Sequence, residues 1–178
     1  MDNKVCFMFG HATTPYSALP LIETAAERHY LEYGIRTFIV GNRGNFDNYA
    51  ATAISRLKER YKDISLLLLL AYHPAERPVF LTDGFDNSYY PPLENVPRPF
   101  TIVRANQYMV NKADSIICYV KHPGNTRNLI EYVSTSYLVA LSVAANLLCS
   151  LLQLRRYFFD SLIGAVCSNS SSISSVSS

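Results

Sequence analysis

The chain of 178 residues contains no tryptophan, and only 17% of its residues are charged. Its 16 Lys and Arg residues nearly balance its 14 Asp and Glu residues, which leaves a net charge of +2. So small an excess does not by itself indicate a nucleic-acid partner. Apolar residues make up 49% of the chain, which excludes disorder over its whole length. The length suits one domain with its own core.

Closely spaced cysteines are also missing. Cys6, Cys118, Cys149 and Cys167 form neither a CxxC pair nor a tight set. This spacing argues against a disulfide scaffold and a structural zinc site, and it favours a reducing, cytoplasmic setting. We expect no metal site. The apolar run at 5–9 is too short for the core of a signal peptide.

Charge is almost absent from the last quarter of the chain. Only three of the 30 charged residues follow residue 131, and eight of the eleven residues in 168–178 are serine. We therefore expect three parts. A folded domain occupies 1–133, an apolar helical segment packed on it occupies 134–167, and a Ser-rich disordered tail occupies 168–178.

The uncharged stretch 132–154 has 23 residues, which is long enough to cross a bilayer, with Arg155 and Arg156 at a cytoplasmic end. Interspersed Ser, Thr, Asn and Gln favour instead a helix and strand packed on the sheet. A C-terminal sequence that has been altered, for example by a frameshift, is the third alternative. If this segment leaves an edge or apolar face of the domain open, a homo-oligomer would cover it.

Short apolar runs alternate with segments of helical spacing. This order predicts an α/β, doubly wound, mostly parallel sheet with helices on both faces. Residues 73–100 hold six of the nine prolines and predict a long loop near one edge of the sheet. The predicted strands are 5–9, 37–40, 64–72 and 115–120, and the predicted helices are 17–33, 47–61, 105–113 and 126–133.

Three loops follow predicted strands, at 10–15, 41–47 and 121–126. Ligands of open α/β sheets bind beyond the carboxyl ends of the strands. Glycines in these loops allow backbone N–H groups to approach an anion, and the following helices offer unpaired donors. The pattern predicts a phosphate or nucleotide site. Simple strand-to-helix turns are the alternative, because the chain has neither GxGxxG nor a Walker lysine.

Each polar side chain near these loops has two interpretations. His11 is a phosphate ligand, an acid/base group or a loop cap, and Arg43 pairs with phosphate or lies in solvent. Asp47 contacts a ribose or caps the second helix, as Asn125 or Thr126 would cap the last one.

Further along the chain the same ambiguity holds. Glu131 reaches a ligand or lies at the surface. Arg104, Asn106 and Asn111 belong to the site or to a polar boundary of a helix. Cys6 and Cys118 fall in predicted buried strands, where thiols are inert.

Four motifs in this order resemble the SLOG superfamily of DprA-like and LOG-like domains. Phe9-Gly10-His11 resembles its TGHR opening, with Ala12 in place of the arginine, and the loop 41–47 resembles the GGxxGxD loop of the DUF1273/YpsA-like branch. Residues 106–110 with Asp114 resemble NRYMVxxxD, and 122–128 resembles a later GGT/A loop. The resemblance covers about 4–133.

The resemblance implies a bacterial-type, cytoplasmic protein with a Rossmann-like sheet that binds a nucleotide-derived ligand, with no other cofactor. The protein is also similar to DprA-like DNA binders, but its small net charge argues against a nucleic-acid partner. The implied ligand-binding residues are Gly10, His11, Gly41, Arg43, Gly44, Asp47, Arg104, Asn106, Gly124 and Thr126.

Two other functions stay open, so whether the protein is an enzyme is undecided. A LOG-like hydrolase of a nucleotide N-glycosidic bond would need Glu131 or Asp47 as general acid/base. Residues 123–126 lack the second and third glycines of the LOG motif PGGxGTxxE, which disfavours that activity. A protein-interaction domain with a vestigial pocket is the other alternative.

Overall fold

The predicted apolar strands pair side by side in one sheet. The structure, a computed structural model, describes residues 4–120, 124–129 and 131–132, and the backbone of 159–161. Within these residues six strands form a parallel sheet in the order β4-β3-β2-β1-β5-β6. The strands are β1 (Lys4–Gly10), β2 (Ile35–Val40), β3 (Ser65–Leu69), β4 (Asn87–Tyr89), β5 (Ser115–Tyr119) and β6 (Phe159–Ser161).

Helices connect most of these strands. The helices are α1 (Leu19–Tyr33), α2 (Asn45–Arg60), α3 (Thr101–Lys112) and α4 (125–129 with 131–132), and single 3₁₀ turns occur at Tyr16–Ala18 and Arg98–Phe100. Gly34 ends α1 with φ of +70°, a left-handed conformation that glycine adopts without steric cost.

The strand order reverses between β1 and β5. The chain builds β1 to β4 towards one edge and then returns to place β5 on the other side of β1. This arrangement confirms the predicted doubly wound α/β fold of Rossmann-like type, and it opens a crevice at the carboxyl ends of β1 and β5.

Helices cover both faces of the sheet, as predicted. Side chains of β1 alternate between the two faces, so Met8 joins the core under α1 and α2 while Phe7 joins the core under α3 and α4. Both side chains are buried. The two cores together fix which loops meet at the carboxyl edge.

Two aspartates tie strands to their neighbours in the same way. The Asp114 carboxylate accepts the Val5 N–H at 2.9 Å, and the Asp114 N–H donates to the Val5 carbonyl at 2.8 Å. Asp86 makes the matching pair of bonds with Leu66, at 2.8 and 2.9 Å. Each aspartate precedes a strand, so each pair extends the pairing beyond that strand's first residue.

Three sequence predictions need correction. The long loop predicted at 73–100 contains β4, a polar edge strand without an apolar run. Helix α2 begins at Asn45, so Gly44 is its N-cap and Asp47 lies in its first turn. The Asn128 N–H donates to the Gly124 carbonyl, so Gly124 is the N-cap of α4, and the predicted cap residues Asn125 and Thr126 lie inside the helix.

Most of the predicted C-terminal parts lie outside the described residues. These are the segment 134–167, apart from the backbone of β6, the Ser-rich tail 168–178, and the uncharged stretch 132–154 beyond Tyr132. β6 pairs with β5 through the Ile116–Phe159 and Cys118–Ser161 partners. In the part of the chain that the structure describes, no helix is long and apolar enough to cross a membrane.

Candidate functional site

A small cavity lies at the carboxyl edge, where the strand order reverses. We call it the switch-point cavity, and its volume is about 120 Å³. The end of β1, the loop after β2, α3 and the start of α4 all contribute to its wall. Its lining residues are Phe7, Phe9, Gly10, Gly41, Arg43, Asp47, Leu69, Ala71, Ile102, Ala105, Asn106, Asn125, Thr126 and Leu129.

A larger cavity adjoins it beyond the end of β3. We call it the outer cavity; its volume is about 410 Å³, and it is lined by Asn42, Arg43, Leu69–Tyr72 and Arg77–Phe80. The two cavities share Arg43, Leu69 and Ala71, so they adjoin. Small-molecule pockets usually enclose about 300–1,000 Å³. The switch-point cavity therefore suits one small chemical group, and the body of a ligand fits the outer cavity.

The loop after β1 packs against the start of α2. The Asn45 N–H donates to the Ala12 carbonyl at 3.0 Å, and its side-chain amide donates to the Thr14 carbonyl at 3.3 Å. A Cβ on Gly44 would overlap the Ala12 backbone. These contacts bring the first two predicted loops together.

Close packing also explains the glycines that end β1 and β2. A Cβ on Gly10 would overlap the ring of Phe46, which is fully buried. A Cβ on Gly41 would lie 2.9 Å from an oxygen of Asp47. Both glycines line the switch-point cavity, and their lack of a side chain allows Phe46 and Asp47 to approach the backbone closely.

Several backbone N–H groups at this edge already have protein acceptors. The His11 N–H donates to the Tyr119 carbonyl at 3.3 Å, and the Arg43 N–H donates to the Asp47 carboxylate at 2.7 Å. The Asn45 N–H donates to the Ala12 carbonyl. A phosphate bound here would therefore depend on side-chain cations more than on these three amides.

Asp47 is an acid enclosed in the wall of the switch-point cavity. Burial raises the pKa of its carboxyl from 3.8 to about 6, although the hydrogen bond from the Arg43 N–H and the Arg43 charge both lower it. An acid with this pKa exchanges protons close to neutral pH, so Asp47 is able to act in acid/base chemistry.

Two arginines flank one tyrosine in the outer cavity. The Cζ atoms of Arg43 and Arg77 lie 5.8 and 5.9 Å from the centroid of the Tyr72 ring. Such distances are typical of cation–π contacts. Neither arginine forms an ion pair with another described residue. The neighbouring Glu76 is paired instead with Arg98, at 3.1 Å.

The structure brings six of the predicted site residues to the switch-point cavity: Gly10, Gly41, Arg43, Asp47, Asn106 and Thr126. The Thr126 hydroxyl also donates to the Gly10 carbonyl at 3.3 Å, which joins the first loop to α4.

Five predicted residues do not line either cavity. His11 is buried, and its carbonyl accepts bonds from the Thr14 N–H and hydroxyl. Gly44 packs on Ala12, and Arg104 is exposed with its guanidinium 3.1 Å from the Gln107 amide oxygen. Gly124 and Glu131 are exposed.

Sequence reasoning missed Tyr72, Arg77 and Phe80 in the outer cavity and Asn125 in the switch-point cavity. The rule that ligands bind beyond the carboxyl ends of strands applies equally to β3. Applied to the residues after Leu69, it would have drawn attention to an aromatic residue followed by Arg77 between prolines 74 and 78.

No metal-binding group is evident in the described ranges, where no three His, Cys, Asp or Glu side chains come together as ligands. Cys6 and Cys118 are buried and unbonded to each other, and burial raises the pKa of each thiol to about 12. Both thiols therefore stay protonated, as expected for inert core cysteines.

The fold and its crevice define a Rossmann-like α/β domain with a pocket at the strand-order switch. No protein-family model matches the sequence, and no curated protein matches it. Among solved structures, the fold is similar to the molybdenum cofactor binding protein from the phototrophic bacterium Rippkaea orientalis. That match has a TM-score of 0.54 and 14% identity, over 83% of this chain and 85% of the other.

The fold is also similar to DNA processing protein A (DprA) from Streptococcus pneumoniae, with a TM-score of 0.53 and 15% identity. This match covers 75% of our chain and 47% of DprA, so the chain spans about half of that protein. The two matches show a shared fold, and membership of the SLOG superfamily stays a prediction. Its DUF1273/YpsA-like branch stays a prediction.

Proposed function

We propose that this protein binds a small, nucleotide-derived ligand at the carboxyl edge of the sheet, with a phosphate group held at Arg43. The observation that carries this proposal is the position of Arg43. It lines both cavities, and its guanidinium forms no salt bridge with another described residue, although its charge acts on the nearby Asp47 carboxyl. A planar guanidinium suits bidentate contact with a phosphate.

The surrounding polar groups support a ligand that extends into the switch-point cavity. Asn106, Asn125 and Thr126 line it and supply amide and hydroxyl groups that hydrogen-bond one polar group of the ligand. The glycine loops position Arg43 and leave space for the ligand, because several of their N–H groups are already bonded within the protein. A protein of similar fold is named for binding the molybdenum cofactor, which supports a small ligand on this fold.

Thermal unfolding with AMP, ADP-ribose, NAD and cyclic nucleotides tests the proposal. Binding to the folded state raises the melting temperature with ligand concentration. Arg43→Ala should weaken binding of the best ligand about 10-fold to 100-fold, since a hydrogen bond to a charged group is worth about 1.5–3 kcal/mol. Arg104→Ala removes the same charge outside both cavities and should leave affinity unchanged. No stabilisation by any compound would overturn the proposal.

Hydrolysis of a nucleotide N-glycosidic bond is a second candidate function, because Asp47 lines the cavity with its pKa raised to about 6. Glu131, the other acid considered, is exposed and lies outside both cavities. Incubation with nucleoside monophosphates, followed by chromatography for released base, tests this function. Asp47→Asn should abolish turnover and retain binding, whereas Glu131→Gln should retain both.

A protein-interaction domain with a vestigial pocket is less well supported. The burial of His11 outside the cavities agrees with that alternative. The position of Arg43 and Arg77 at the larger cavity, with neither in a salt bridge with another described residue, does not agree with it.

A further inference from the structure

The outer cavity holds a second cation that the sequence motifs do not include. Arg77 belongs to the loop after β3, and its N–H donates to the His73 carbonyl at 3.0 Å, which fixes a turn at this point. Its guanidinium lies against the same Tyr72 ring as that of Arg43. Two guanidinium groups from different loops therefore converge on one aromatic ring.

We infer that Arg43 and Arg77 bind the two phosphates of a diphosphate group, so that the ligand is a nucleoside diphosphate or a pyrophosphate-linked dinucleotide. This inference rests on the proposed function and narrows its ligand. Each guanidinium offers one planar fork of donors, which matches one phosphate. A monophosphate would leave the second fork without a partner.

The charges around the cavity favour a dianionic group. Glu76, the acid nearest Arg77 in sequence, is occupied by Arg98, and Asp47 directs an oxygen to the Arg43 N–H. Neither guanidinium group forms a salt bridge with a carboxylate in the described structure. A bound diphosphate would attract both cations.

The rest of the outer cavity suits the nucleoside part. Pro78, Val79 and Phe80 form an apolar wall, and Phe80 is 89% exposed. An exposed aromatic ring beside a pair of cations is a surface on which a base stacks, and such stacking contributes about 1–3 kcal/mol per base. The cavity of about 410 Å³ is large enough for a ligand of this kind.

Titration calorimetry of the full chain with orthophosphate, pyrophosphate, AMP and ADP tests this inference. The wild type should bind pyrophosphate at least about 10-fold more tightly than orthophosphate, and ADP at least about 10-fold more tightly than AMP. Arg77→Ala should remove both preferences while AMP binding persists. Arg77→Lys should restore part of them, because it keeps the charge without the fork.

Arg28→Ala is the matched control. Arg28 is an exposed arginine of α1 and should leave all four affinities unchanged. Equal binding of AMP and ADP by the wild type, or an unchanged preference in Arg77→Ala, would overturn the diphosphate assignment and leave the proposed function standing. Absence of binding by all four compounds would overturn both.

Discussion

The carboxylate of Asp47 accepts a hydrogen bond of 2.7 Å from the backbone N–H of Arg43, so the acid in the first turn of α2 is joined to the loop that carries the cation. The bond spans the start of α2, and both residues line the switch-point cavity. A change in the charge of Asp47 therefore changes its hydrogen bond with the backbone of Arg43, the residue that we assign to phosphate binding.

The raised pKa of Asp47 makes a prediction about stability. Because the folded state raises this pKa from 3.8 to about 6, ionisation of Asp47 destabilises the folded protein. That penalty is absent below pH 4 and grows until the pH exceeds about 6. At 1.36 kcal/mol per unit, Asp47→Asn should be more stable than the wild type by up to about 3 kcal/mol at pH 8.

Urea unfolding at pH 4, 6 and 8 measures the difference between the two proteins. Asp63→Asn is the control of opposite sign, because hydrogen bonds from Tyr30 and Arg36 lower the pKa of Asp63, which should make its ionised form stabilising. An Asp47→Asn protein that is less stable than the wild type at pH 8 would contradict the prediction.

Packing of the two glycine loops gives a second prediction. Gly44 has φ of −172°, which any residue adopts, so the cost of Gly44→Ala is purely steric. Its new Cβ would meet the Ala12 backbone, which has little room to move, and we expect a loss of about 1–3 kcal/mol. Gly41→Ala meets only the end of the Asp47 side chain and should lose less. Chemical denaturation measures the loss of stability in both variants. A larger loss for Gly41→Ala than for Gly44→Ala would contradict the prediction.

The strand tie at Asp114 gives a third prediction. Asp114→Ala leaves the Val5 N–H without its acceptor and should cost about 1–3 kcal/mol. Asp114→Asn keeps an oxygen in the same place and should retain most of that stability. Hydrogen exchange at the Val5 amide reports the bond directly. Equal losses in the two variants would contradict the assignment of this stability to the acceptor oxygen of Asp114.

A substitution at Phe80 should distinguish binding of the base from binding of the diphosphate. The Phe80 side chain is 89% exposed, so Phe80→Ala should change the free energy of unfolding by no more than about 0.5 kcal/mol. It should weaken ADP binding several-fold and leave pyrophosphate binding unchanged. Phe100→Ala removes a ring that is 58% exposed and lies outside the outer cavity. This variant should leave the affinities for ADP and for pyrophosphate unchanged. Equal weakening of ADP and pyrophosphate would contradict a base-stacking role.

Much of the fold follows from local patterns in the sequence. Apolar runs and helical spacing predict β1, β2, β3 and β5 with their helices, because burial of side chains dominates those segments. β4 was missed because Asn87-Ser88-Tyr89 carries no apolar run. It pairs with Leu67–Leu69 of β3, a contact between segments distant in the chain.

The site was predictable to a similar extent. Glycine-rich loops after strands point to Arg43 and Asp47 because parallel strands end at one edge. Sequence does not show whether a loop side chain turns inward, so the burial of His11 and the exposure of Glu131 needed the structure. Arg77 was missed because its proposed role depends on its proximity to Tyr72 and Arg43, and the sequence does not show that these side chains come together.

The loop that carries Arg77 and Phe80 is fastened at both ends. The Leu70 N–H donates to the Tyr89 carbonyl at 2.8 Å, and Asp86 holds both Leu66 and Lys58. Residues 73–83 lie between these fastenings, so we expect that they can diverge between descendants of this gene, or be exchanged by an engineer, with little effect on strand pairing. Ligand preference on this scaffold is free to evolve through one replaceable segment while the glycine-lined edge stays constant.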